Sequence, residues 1–196
     1  KAVLNANQKD GNQNGNVLTV NASNANITLE NLTVTGGSRN ATGGGIYAIG
    51  SLTLKNCTVT KNKSNNAGGG ISFSGKELVL ENTSVTYNES SGTGGGMDAD
   101  GKVTISGSKI LNNSANYGGG IYFSSNKNLD IKNKTIINNN SAIDTGGGLY
   151  LLDGKTIIKD SSLLENKANY GGAIYTASDL DLIVKVAIKK NFATTG

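Results

Sequence analysis

A glycine triplet followed by an aliphatic residue occurs five times along this chain, at Gly43-Gly44-Gly45-Ile46, Gly68-Gly69-Gly70-Ile71, Gly94-Gly95-Gly96-Met97, Gly118-Gly119-Gly120-Ile121 and Gly146-Gly147-Gly148-Leu149. A sixth copy reads Gly171-Gly172-Ala173-Ile174, and the intervals between the aliphatic residues are 25, 26, 24, 28 and 25. A second mark keeps step with the first: an aliphatic residue three places before an Asn, at Val59/Asn62, Val85/Asn88, Ile110/Asn113, Ile136/Asn139, Leu163/Asn166 and Ile188/Asn191. Two marks in register describe one supersecondary unit repeated along the chain, and such units bury their apolar residues only by stacking on their neighbours.

Inside each copy the apolar residues alternate, which is the period of a strand and not of a helix. Ile46 and Ala48 are expected to point inward with Tyr47 and Ile49 outward, and the same holds for Ile71 and Phe73, Ile121 and Phe123, and Leu149 and Leu151. A turn follows, then a second strand such as Leu52-Thr53-Leu54 or Leu78-Val79-Leu80, and a third strand carries the aliphatic residue before the Asn. The expected fold is all-β: a right-handed parallel β-helix with three short strands and about 25 residues per coil. Its interior is expected to hold columns of like residues, one being Ile46, Ile71, Met97, Ile121, Leu149, Ile174 and another Leu52, Leu78, Val103, Leu129, Thr156. The Asn column is read as a turn ladder whose amides bond to backbone and to the Asn of the next coil. A leucine-rich repeat shares the period, but Asn56 follows Leu54 by two rather than three, and no helix-forming stretch occurs.

The domain is read as one unit over residues 1–196, with 1–45 an irregular first coil or cap and 46–196 six repeats, the last truncated. A chain that stops where the next glycine triplet would begin is expected to continue in a longer parent.

Composition narrows the function. With 28 Gly, no Pro, no Trp and 5% aromatic residues, an ordinary globular core is excluded. The net charge of +4 comes from scattered Lys and the single Arg39, with no basic block, so no nucleic-acid partner is expected. The chain has no His, the commonest general base and metal ligand, and its one Cys, Cys57, cannot form an internal disulfide. No run of 18 apolar residues exists, so this fragment is not expected to insert into a membrane. No cofactor and no metal is expected.

The unit Leu163-Leu164-Glu165-Asn166-Lys167-Ala168-Asn169-Tyr170-Gly171-Gly172-Ala173-Ile174-Tyr175 resembles the paired G-G-A-[ILV] and F-x-x-N motifs of chlamydial polymorphic outer-membrane proteins and similar adhesin-like repeats. The resemblance covers residues 46–196, with Val, Ile or Leu in the place of the Phe. It implies a secreted, cell-surface β-helical passenger for adhesion, often carried by an autotransporter barrel in the outer membrane. The implied partner is a protein or glycan on a host or neighbouring cell, and the family supplies no catalytic residue.

The rival reading is a polysaccharide-binding or polysaccharide-cleaving β-helix of the lyase or glycoside-hydrolase class, which needs grouped carboxylates on an exposed face. Asp98 and Asp100, outward on one strand and about 7 Å apart, are the best local pair. Asp130 and Asp181 share an outward column but have Ile157 between them. The candidate ligand-binding residues are instead Tyr122, Tyr150 and Tyr175, in the outward column Tyr47, Ser72, Asp98, Tyr122, Tyr150, Tyr175, with Tyr117 and Tyr170 in the preceding turns. Aromatic strips with polar tips bind sugars and proteins, and they also stabilise sheets as plain stacking ladders. Eleven N-x-S/T sequons occur, among them Asn21, Asn31, Asn56, Asn88 and Asn133, as a chain rich in Asn, Ser and Thr produces by composition alone.

Overall fold

The computed structural model describes residues 2–6 and 15–195, and among these it contains strands, turns and no α-helix. The chain winds into a parallel solenoid of about seven turns at about 26 residues per turn. The part of the irregular start that covers 7–14 lies outside the described residues. Leu18–Glu30 pairs in parallel with Ile46–Lys55, so the stretch before the first glycine triplet already forms a coil in register with the next. Ala2–Asn5 pairs with Leu32–Thr35 and extends the stack by one strand.

Most coils have three strands and the one that begins at Ile121 has four, with bounds that differ from the expected ones. In the second full coil they are Ile46–Lys55, Thr58–Thr60 and Lys63–Ser64. The two strands read on either side of the Gly50 turn run together through a bulge there. Only later, at Ile121–Phe123 and Asn128–Lys132, do they separate. The extra two-residue strand, of the type Lys63–Ser64, builds its own seven-stranded parallel sheet, while the rest form a sixteen-stranded one.

The inward columns form as the alternation predicts. Register pairs run Ile46, Ile71, Met97, Ile121, Leu149, Ile174 and Leu52, Leu78, Val103, Leu129, Thr156 without a slip. All are buried except Ile174, which is half-buried. Thr156 is the misfit of its column, and its buried hydroxyl has no hydrogen-bond partner.

The Asn ladder also forms, with one correction. Asn62, Asn88, Asn113, Asn140, Asn166 and Asn191 stack, and the Nδ2 of each of the first five donates to the Oδ1 of the Asn one coil on at 2.9–3.0 Å. The same Oδ1 accepts the backbone N–H of the preceding Asn, and each Nδ2 also donates to an aliphatic residue's carbonyl in the coil behind, as Asn113 does to Val85. The ladder member in the fourth copy is Asn140 and not Asn139, and its aliphatic partner is Ile137 and not Ile136. Asn139 lies one step earlier at φ 53°, in a column of left-handed corner residues with Lys61, Tyr87, Asn112, Glu165 and Lys190. Asn tolerates that conformation better than most residues, so consecutive Asn at 139 and 140 take two different jobs.

The glycine triplet shapes a second corner. Gly118 has φ +63°, and a Cβ on Gly119 would sit 2.4 Å from the Ser141 carbonyl oxygen and 2.7 Å from that of Gly147. Only a residue without a side chain lets the chain turn and the coils approach this closely.

Candidate functional site

The outward column after the glycine corner is where the sequence places it: Tyr47, Ser72, Asp98, Tyr122, Tyr150 and Tyr175 face one another coil by coil. Alternation aims these side chains out because the residues on either side, such as Ile121 and Phe123, are fully buried. The parallel register then puts the three candidate tyrosines together. Tyr122 and Tyr150 stack with ring centroids 4.9 Å apart and planes inclined by 19°, and Tyr150 and Tyr175 stack at 5.0 Å and 23°. Tyr117 meets Tyr150 edge-on at 6.1 Å. Tyr170 lies one column back, where it pairs with Thr145, and is exposed.

The stacking alters what the strip can do. Rings one coil apart use their faces on one another, so the middle of the strip presents edges and hydroxyls instead of a flat aromatic plate. The face of Tyr122 toward the coil of Asp98 carries no stacked ring. Burial pushes the hydroxyls of Tyr122 and Tyr150 above the usual phenol range, and neighbouring Tyr and Asp groups add to the shift. They therefore stay protonated at neutral pH and act as hydrogen-bond donors.

Asp98 and Asp100 project outward from one strand, Asp100 exposed and Asp98 half-buried. The Thr93 hydroxyl donates to Asp98. Burial raises the Asp98 carboxyl above its ordinary value, the Thr93 bond opposes that shift, and the charge of Asp100 adds to it. Asp98 is thus not the freely solvated side chain that its outward position alone suggests. Asp130 and Asp181 occupy one column with Ile157 between them, and Asp181 is bound to Lys155 at 2.8 Å. Among the described residues no group of three or more His, Cys, Asp or Glu side chains is placed to hold a metal ion. No helix of the described residues is long and apolar enough to cross a membrane.

Other marked residues sort by position. Of the sequon asparagines, Asn62 and Asn88 are buried in the ladder with their amides bonded, and so are closed to modification. Asn31, Asn56, Asn82 and Asn133 share a left-handed corner, a column that the sequon motif alone does not reveal. Cys57 is buried in a column of hydroxyl residues with Thr83, Ser108 and Thr135, where backbone N–H groups donate to each next Oγ and the Cys57 thiol donates to the Leu29 and Lys55 carbonyls.

No curated protein and no solved structure matches the chain. A family model does, over residues 7–191, and its description is the right-handed β-helix region. That span takes in every coil, the glycine corners, the Asn ladder and the tyrosine strip, and the chain belongs to the right-handed β-helix family.

Proposed function

We propose that this chain is a non-catalytic display rod, the passenger part of a secreted cell-surface adhesin, and that it meets its partner through the face carrying Tyr122, Tyr150 and Tyr175. The observation that carries the reading is the alignment of these three rings outside the packed columns, where nothing in the core depends on them. Aromatic groups with polar tips on an outer sheet face, half-buried at Tyr122 and Tyr150 and exposed at Tyr175, suit recognition of a protein or glycan surface. The partner in this reading is a molecule on a host or neighbouring cell.

A second reading, a polysaccharide-cleaving enzyme, draws on Asp98. A half-buried carboxyl held above its usual range is the property a general acid needs. Against it, Asp98 and Asp100 lie two residues apart on the same strand, where both carboxylates project from one face and not from opposite walls of a cleft.

The test compares the wild-type chain with Tyr122→Ala/Tyr150→Ala/Tyr175→Ala for attachment to cells and to a glycan array, after their melting curves have been compared. Attachment lost by a folded variant supports the reading, and attachment unchanged removes the strip from it. Wild-type turnover of polygalacturonate or alginate, with or without calcium, that disappears in Asp98→Asn would replace the adhesin reading with the enzyme.

A further inference from the structure

Charge is distributed unevenly around the coil. The face between the glycine corner and the next turn is made by residues 42–50, 67–75, 93–101, 117–125, 144–154 and 170–178. Those segments hold six of the chain's seven Tyr and none of its 18 Lys and Arg. They also hold Asp98, Asp100, Asp144 and Asp153. The lysines begin at the borders, with Lys76, Lys102, Lys127 and Lys155 at the turn on one side and Lys63 and Lys167 beyond the glycine corner on the other. A chain of net charge +4 therefore carries one aromatic strip of the opposite sign.

The carboxylates of this strip are also without ion-pair partners. The ion pairs among the described residues are Lys55–Glu81, Lys63–Glu89, Lys102–Glu77, Lys155–Asp181 and Lys190–Glu165, and none uses Asp98, Asp100, Asp144 or Asp153. Five acids on the other faces are matched to a lysine one coil away, whereas Asp98 and Asp100, two residues apart on one strand, have no ion-pair partner. At the start of the same tyrosine column the molecule itself supplies one. The Arg39 guanidinium lies over the ring of Tyr47, 5.4 Å from its centroid. Tyr47 can take it because the next residue of its column is Ser72, which leaves that ring unstacked.

Tyr122 repeats those conditions with an acid added. Its neighbour in the preceding coil is Asp98, not another ring, so one face is free of stacking. No Arg lies near it, since Arg39 is the only one.

We propose that the tyrosine face binds an arginine-bearing polypeptide, seating a guanidinium over the open ring face of Tyr122 and between the carboxylates of Asp98 and Asp100. This rests on the reading of that face as the binding surface and names its partner class. A guanidinium suits the place better than an ammonium because its plane lies on an aromatic ring while its edge bonds carboxylate oxygens. The bordering lysines repel a basic segment that strays sideways, which fixes the partner to the strip.

The experiment titrates the full chain by calorimetry with a soluble Arg-Gly-Ser repeat peptide and with its Glu-Gly-Ser counterpart. The variants are Asp98→Asn/Asp100→Asn, the triple Tyr→Ala chain, and Glu77→Gln/Glu81→Gln, which removes the same charge from another face. The Arg peptide should bind and the Glu peptide should not. Asp98→Asn/Asp100→Asn should weaken binding about tenfold or more while Glu77→Gln/Glu81→Gln leaves it within about twofold. Equal losses in the two acid variants would reduce the effect to bulk charge and overturn the proposal. Absence of Arg-peptide binding, together with glycan or cell attachment that the triple Tyr variant loses, would overturn the cationic partner and leave the face as the binding surface. Full Arg-peptide binding by the triple Tyr variant would remove both.

Discussion

Two side-chain ladders run along this molecule, and they are built by the same operation with opposite consequences. Asn62 through Asn191 and Tyr122 through Tyr175 each repeat one side chain at the coil spacing in parallel register. Most of the Asn ladder is sealed from water, so each amide must satisfy its neighbours: it accepts a side-chain and a backbone donor from one coil and donates to a carbonyl in another. The Tyr ladder lies on the outer face, half-buried at Tyr122 and Tyr150 and exposed at Tyr175, where water reaches the hydroxyl ends. Repetition alone therefore does not mark a residue as structural. What separates the two is whether solvent can take the place of the missing partner.

The largest expected effect comes from cutting the buried ladder. Asn140→Ala would leave the Asn113 backbone N–H and the Ile110 carbonyl buried without those partners. At roughly 1–3 kcal/mol for each orphaned group, the loss should be about 2–6 kcal/mol in urea melts. Asn139→Gly, one residue away at a left-handed corner, should stay within about 0.5 kcal/mol of wild type. If the two variants exchange these outcomes, the ladder runs through Asn139 and the register of that coil is wrong.

Cutting the exposed ladder should cost less although more atoms go. The triple Tyr122→Ala/Tyr150→Ala/Tyr175→Ala chain loses two stacked pairs and an edge contact, for a total of about 1–3 kcal/mol. A loss as large as that of Asn140→Ala would erase the distinction between the ladders.

Thr156 sharpens the comparison from the other side, as a buried polar group that no ladder satisfies. Thr156→Val keeps its shape in a column of Leu and Val and removes the unpaired hydroxyl. Stability should rise by about 1 kcal/mol, read as a higher urea midpoint at unchanged slope. A fall would mean that the hydroxyl has a partner after all.

The smallest effect concerns Asp98. Its carboxyl titrates above the 3.8 of an unperturbed Asp, chiefly because burial disfavours its charge. The folded chain thus holds this proton more tightly than the unfolded chain does. That contribution to stability is complete below 3.8 and is lost as pH rises through the raised value. At pH ~7 Asp98→Asn should melt slightly above wild type, and the gap should close on acidification below the normal Asp range. A variant that melts lower at neutral pH would show the Thr93 bond to outweigh burial.

Most of the fold is legible in the residues. Ile46, Ile71, Met97 and their successors give the buried column, and the alternation around them places Tyr122, Tyr150 and Tyr175 on one face. The misses have physical causes. Ile136 and Ile137 precede three consecutive Asn, so the local sequence fits two registers, and only the stacking on Ile110 and Leu163 selects one. Strands such as Lys63–Ser64 are too short to show any alternation. The face-to-face stacking of the tyrosines depends on side-chain torsions that spacing does not encode. The exclusion of Lys and Arg from their face is written in the sequence, but it can be seen only once the chain is sorted by face and not by position.

The rise of the solenoid has a consequence for economy of reach. A coil of about 26 residues lengthens the stack by only about 4.8 Å, so about seven turns make a column roughly 34 Å tall. An α-helix of 26 residues would span about 39 Å by itself. As a spacer this chain is extravagant. What each added coil supplies is perimeter: another full circuit of outward positions, held at fixed height above the last. Such a scaffold grows by widening the range of sites it can offer along its flank, and adding or deleting a whole coil would change that inventory while leaving every remaining circuit intact.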